Sequence, residues 1–148
     1  MVVEVKGPLA IEENMHLATQ LSVFLENRPG TLAEICRAFA KAKINIIAMT
    51  TSDALDYAVD RFVVDEPRKA LRLFEERGVL VIETDVLLIE GPNLPGGLGK
   101  IAEALAVAKV NIDYLYFATP PSSRNGVIIL KCRDARKAMR VLNKKKGR

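Results

Sequence analysis

The sequence predicts an α+β chain of two tandem βαββαβ units, with antiparallel sheets side by side and a second unit that lacks its own last strand. Three observations carry this. The turn Leu25-Glu26-Asn27-Arg28-Pro29-Gly30-Thr31-Leu32 is built again as Pro92-Asn93-Leu94-Pro95-Gly96-Gly97-Leu98. At an offset of 66 without a gap, 11 of the 20 residues from 27 to 46 recur, including Asn27, Pro29, Gly30, Leu32, Lys43, Asn45 and Ile46. A repeat of this kind means two similar domains, each carrying its turn in the same place. Apolar periods of two and of three to four then alternate in the order β-α-β-β-α-β. Finally, 148 residues divide into two small units of roughly 65 to 75 residues, each with a modest core. The predicted boundaries are an extension at 1–16, a first domain at 17–83 and a second at 84–148.

In the leader, Met1 to Val5 fits a short strand that Gly7-Pro8 interrupts. From Gln20, apolar Leu21, Val23 and Leu25 alternate with polar neighbours, the mark of a half-buried strand. The spacing of Leu32, Ile35, Cys36 and Phe39 predicts a helix from Thr31 to Ala42. Ile44 to Thr51 and Tyr57 to Val64 read as strands joined by a hairpin loop. Asp65 as N-cap, Pro67 in the first turn and Gly78 past the end predict a second helix from Glu66 to Arg77. Val79 to Glu83 completes the unit. The second unit follows with strands at Asp85 to Glu90, Val110 to Ala118 and Val127 to Cys132, and helices at Leu98 to Ala108 and Ala135 to Lys145. A long turn-rich loop, 119–126, separates its last two strands. No strand follows the final helix. Because an open sheet edge is a liability, Val2 to Val5 is expected to fill the missing position in the same or a partner chain; a disordered leader is the alternative.

The composition is that of a folded, soluble protein: 49% hydrophobic, 27% charged, with 9 Gly and 7 Pro. Apolar runs such as Val86 to Ile89 are far shorter than the ~18 residues a membrane span needs, so no membrane is expected. Without a secretory leader or a cysteine framework, a cytoplasmic location is expected. Much of the net charge of +4 sits in Lys144, Lys145, Lys146 and Arg148. That tail reads as a solvated helix C-terminus rather than a nucleic-acid patch, and 5% aromatics with no Trp offer little for base stacking.

The chemistry concentrates in the repeated turn. A strand that passes abruptly into a helix leaves the helix's first N–H groups free, which suits a carboxylate or phosphate. Gly30 and Gly96 let a ligand approach the backbone closely. Asn27 and Asn93 can accept from an ammonium and donate to an oxygen. A free amino acid carries both groups, and Ile47 and Met49 in one unit and Leu115 in the other would form an apolar rim. The same residues also fit a purely conformational role, since Pro and Gly build sharp turns. On spacing alone that reading carries more weight.

The repeated Asn-x-Pro-Gly-x-Leu turn, the following helix, the Lys-Ile-Asn-Ile or Lys-Val-Asn-Ile segment and the element order resemble the ACT domain, in two copies from about Leu17 to the end. The resemblance implies ferredoxin-like units that bind small ligands, most often amino acids, and that regulate enzymes of amino-acid metabolism, commonly through paired domains in a homodimer. It implies one ligand loop of Asn27, Arg28, Pro29, Gly30, Thr31 and Leu32 and another of Asn93, Leu94, Pro95, Gly96, Gly97 and Leu98. It tips the reading of the turn toward binding. Where the first loop has Arg28 and Thr31 the second has Leu94 and Gly97, so the two sites are not expected to be equivalent.

Catalysis finds few candidates. His16, the only histidine, lies in the leader, and the acidic pairs read as solvated charges. Gly96 to Lys100 fails as a phosphate loop, because the required Gly falls on Leu94 and the required Ser or Thr on Ile101. Cys36 and Cys132 show no activating His nearby in sequence. No cofactor or metal site is expected. The sequence therefore reads as a non-enzymatic amino-acid-binding regulatory module. The alternatives are a structural or interaction module without a ligand and, more weakly, a nucleic-acid binder acting through the lysine tail.

Overall fold

Both periodicities are realised in a computed structural model that describes residues 14–54 and 56–144. Ten elements follow in order: β1 (Asn14–Glu26), α1 (Thr31–Lys41), β2 (Ile46–Ala54), β3 (Tyr57–Val64), α2 (Pro67–Glu76), β4 (Val81–Pro92), α3 (Gly97–Val107), β5 (Ile112–Ala118), β6 (Asn125–Cys132) and α4 (Ala135–Lys144). They group into two compact units. The first comprises residues 19–84; the second comprises the chain from Asp85 onward together with the stretch up to Ala18.

In the first unit the strand order is β2-β3-β1-β4. Antiparallel pairing sets Leu21 opposite Phe62, Val23 opposite Asp60 and Leu25 opposite Ala58, and Met49 opposite Phe62 on the other flank. One face carries Leu21, Val23, Leu25, Phe62 and Val64, which pack with Ile35 and Phe39 of α1 and Ala70 and Phe74 of α2. Phe39 meets Phe62 and Phe74 edge-on, with ring centroids 5.4 and 5.5 Å apart. Such geometry aligns ring edges with ring faces and adds to the area buried.

The second unit repeats this with Leu87, Ile89, Ile101, Leu105, Leu130 and Leu142 as its core. The strand order there is β1-β4-β6-β5. The position that the missing last strand would occupy is taken by the start of β1, whose Met15 and Leu17 pack on that core. Strand β1 therefore begins well before Gln20, where the alternation becomes legible, and one long strand serves both units. Val2 to Val5, expected to fill this position, lies outside the described residues.

Two further departures have local causes. The expected strands Val79 to Glu83 and Asp85 to Glu90 merge into continuous β4, which starts at Val81, because no Gly, Pro or Asn falls between 79 and 90 to break the run. Asp65 does not cap α2; Glu66 holds that position without a side-chain bond. Asp65 instead accepts the Asn45 N–H at 2.8 Å through Oδ1, and its own N–H donates to the Asn45 carbonyl at 3.0 Å. The second unit keeps the backbone link, Arg133 N–H to the Asn111 carbonyl at 3.3 Å, and caps α4 with Asp134, whose Oδ1 accepts the Lys137 N–H at 3.0 Å. The backbones of Asn45 and Asn111 thus tie the start of the second strand to the strand-to-helix link.

Candidate ligand-binding site

The two turns share one backbone design. Gly30 and Gly96 are the residues before α1 and α3, with φ of 93° and 83°, a region that costs any residue with a Cβ. In the first turn the Thr31 N–H reaches the Arg28 carbonyl at 3.4 Å and the Glu34 N–H reaches the Gly30 carbonyl at 3.0 Å. Between them, the N–H groups of Leu32 and Ala33 have no acceptor among the described residues, and no side chain caps the helix. The second turn has the same arrangement: Gly97 N–H bonds Leu94 at 3.2 Å and Lys100 N–H bonds Gly96 at 3.0 Å. Each turn therefore presents two adjacent backbone donors at the positive end of a helix dipole.

The side chains differ. Asn27 and Asn93 hold the neighbouring hairpin tip through their backbones, at 2.9 Å to the Asp56 carbonyl and 2.8 Å to that of Arg124. Asn93 commits its amide as well, donating through Nδ2 to the carbonyls of Pro120 at 3.3 Å and Ser123 at 3.2 Å. Arg28 pairs with Glu26 at 2.7 Å in solvent. Its guanidinium pKa is raised by that hydrogen bond and by the charges of Glu26 and Glu34. Asn27, Arg28, Pro29, Gly30 and Leu32 are exposed and Thr31 is half-buried; in the second turn Leu94, Pro95 and Gly96 are exposed, whereas Gly97 and Leu98 are half-buried. Of the rim residues, Ile47 is exposed, whereas Met49 and Leu115 turn inward onto the two cores.

The structure adds two oxygens that the sequence pattern had not singled out together. Asp60 is only 3% exposed; its Oδ1 and the Thr31 Oγ1 are both buried with no hydrogen-bond partner among the described residues. Asp60 interrupts the run Ala58, Asp60, Phe62, Val64 on the core face of β3. A carboxylate at an apolar beat of a period-two strand is the signal that would have found it. The second unit lacks both groups. Leu25 pairs with Ala58 and its repeat counterpart Gly91 pairs with Gly126, so β6 is displaced by 68 rather than 66. Asp60 then corresponds to Ile128 and Thr31 to Gly97.

Shallow grooves elsewhere avoid the turns: one of about 270 Å³ involves Glu34, Arg37 and Arg77, and one of about 450 Å³ involves Ala102, Lys109 and Asn111. Among the described residues no three His, Cys, Asp or Glu side chains converge on a metal-sized space. No helix is long and apolar enough to cross a membrane among them.

The comparisons agree with this architecture. Residues 15–147 match the sequence profile described as an ACT domain pair. A crystal structure of a protein from Bacteroides thetaiotaomicron is 33% identical over 90% of this chain and 92% of that one, with a TM-score of 0.82. The ligand-free regulatory subunit of aspartate kinase from Thermus thermophilus is 21% identical, covering 91% of this chain and 98% of that chain, with a TM-score of 0.64. Its counterpart from Thermus flavus is 21% identical over 89% and 95%, with a TM-score of 0.58. No protein of curated function matches the sequence. With a family match over nearly the whole chain, the doubled βαββαβ order and the repeated Asn-x-Pro-Gly turn, the chain belongs to the ACT domain family as a tandem ACT domain pair.

Proposed function

We propose that this chain is a non-catalytic regulatory module that binds a free amino acid at the turn of its first unit. One observation carries the reading. Among the described residues the backbone donors of Leu32 and Ala33 stand unpartnered behind Gly30, a geometry suited to a carboxylate, and the Asn-x-Pro-Gly turn that builds it occurs twice. Asn27, Arg28, Pro29, Gly30, Thr31 and Leu32 form the binding loop. Ile47 supplies its exposed apolar rim, and Met49 backs it from the core. The second loop, Asn93 to Leu98 with Leu115, is the weaker candidate, because the Asn93 amide is committed to the 120–123 carbonyls. The similarity to the regulatory subunits of aspartate kinase from the two Thermus species supports a regulatory role. Occupancy would favour one conformation of a dimer of this chain, which an enzyme or regulator of amino-acid metabolism would read.

A thermal-shift scan against the twenty amino acids at millimolar concentration tests this. A ligand at 100 times its Kd adds about 2.7 kcal/mol of stability, so a selective rise in Tm is expected. Gly30→Val should abolish that response. A Cβ at residue 30 meets no atom within 4 Å but is strained at φ 93°, so the damage comes from the backbone of the turn, and a spectrum of the free variant checks that the fold is retained.

A module of the same fold that serves interaction alone is the second reading, favoured by the structural use of the Asn93 side chain. It predicts no Tm shift with any amino acid.

A further inference from the structure

The buried oxygens of the first unit ask for a partner that the described residues do not provide. Asp60 lies on the core face of β3, opposite Val23 and opposite Thr51 of β2. Helix α1 covers this face, packing Ile35 and Phe39 into the cluster that contains Val23 and Phe62. Thr31 stands one turn before Ile35 on the same stripe of α1, so its hydroxyl and the Asp60 carboxylate belong to facing elements at the loop end of the core. Among the described residues, neither Oγ1 of Thr31 nor Oδ1 of Asp60 has a hydrogen-bond partner, and Asp60 makes no ion pair.

Leaving a carboxylate oxygen buried and unpaired destabilises a fold, and proteins that keep such a group do so where something else completes it. A bare carboxylate oxygen is a hydrogen-bond acceptor. A hydrogen-bond donor completes it, and one that bears positive charge does so most strongly. The flank of the strand order offers the approach, because β2 is its outermost member and Thr51, beside Asp60 on the same face, is exposed.

We propose that the first unit contains a cation subsite in which Asp60 accepts hydrogen bonds from an ammonium or guanidinium group of the ligand, with Thr31 as second oxygen. Resting on the proposed amino-acid site, this restricts the ligand to molecules that place a cationic group at Asp60 while an anionic end meets the Leu32 and Ala33 N–H groups. It also assigns binding to the first unit alone. Ile128 and Gly97 replace the two oxygens in the second, and an isoleucine cannot anchor a cation.

Isothermal titration of the full chain tests this with two probe sets, the free amino acids and simple amines without a carboxylate such as methylamine and 1,5-diaminopentane. The wild-type protein is compared with Asp60→Asn, which keeps the side-chain shape. One amino acid should bind the wild type at about one site per chain, and Asp60→Asn should weaken it by about 10- to 100-fold. Thr31→Val should weaken it less, and a spectrum of each free variant checks that the fold is retained. Binding of an amino acid that Asp60→Asn leaves unchanged would overturn the cation subsite while sparing the proposed function. Asp60-dependent binding of amines, with no amino acid bound, would keep the subsite and remove the amino-acid reading. If nothing in either set binds, both fail, and Asp60 is a frustrated core residue.

Discussion

Cys132 shows how one position is set by its surroundings. It lies at the end of β6, 1% exposed within the second core. Burial, followed by the charge of Asp113, raises its pKa from 9.0 to about 11, since a low-dielectric site disfavours the thiolate. The folded protein keeps this proton where the unfolded chain has lost it. The thiol's contribution to stability is therefore complete below about pH 9 and declines as pH rises toward about 11. Chemical denaturation of the wild type should show this alkaline loss, and Cys132→Ala should remove that component of the slope. At neutral pH a thiol reagent should modify the half-buried Cys36 in the native protein and reach Cys132 only after unfolding. Fast labelling of both thiols in the native state would contradict the packing.

At the scale of elements, the helix ends repeat as faithfully as the turns. Helices α1 and α3 each end with a lysine in the left-handed conformation, Lys43 at φ 59° and Lys109 at φ 58°. The closing bonds match: Ile44 N–H to the Phe39 carbonyl at 2.9 Å, and Val110 N–H to that of Leu105 at 2.8 Å. Helix α2 closes in the same way with Gly78 at φ 70°, the residue suited to this geometry. Replacing lysine by glycine relieves the Cβ strain of roughly 1 to 2 kcal/mol, offset by greater freedom of the unfolded chain. Lys43→Gly and Lys109→Gly should each stabilise the protein by about 0.5 to 1 kcal/mol, measured as a raised midpoint in urea. A loss of stability would show that the lysine side chains contribute contacts of their own. The same element-scale view explains the unequal turns. The longer β5–β6 connection brings the Pro120 and Ser123 carbonyls to the Asn93 amide, whereas Ala54 and Tyr57 close the shorter β2–β3 hairpin.

For the whole molecule, the informative feature is that the second unit borrows the start of β1. Met15 and Leu17 pack on a core whose other strands come from residue 85 onward. Folding of the second unit therefore depends on a strand that precedes the first unit in sequence, a long-range contact of high entropic cost. Leu17→Asp should destabilise the protein by about 2 to 3 kcal/mol, through lost burial and a poorly satisfied charge. In hydrogen exchange, amides of β4 beyond Asp85 and of β6 should lose protection more than those of β2 and β3. Uniform loss in both units would mean that they unfold as one cooperative body.

The sequence by itself determined the doubled unit, the order of elements and the place of the two turns. These are local matters: glycine at a positive φ, proline beside it, and apolar residues spaced at two or at three to four reveal themselves within a few positions. Tertiary structure decided what local patterns do not encode. Met15 and Leu17 carry too little alternation to announce a strand, and only the vacant place beside β4 gives them one. Asp60 reads as an ordinary charge within Tyr57 to Val64 until strand register puts it opposite Val23, on the face that α1 covers. Asn27 and Asn93 occupy the same place in the repeat, yet the Asn93 amide is committed to carbonyls 27 and 30 residues further along the chain. Register and chain return set these relations, and both depend on which distant segments the folded chain brings together.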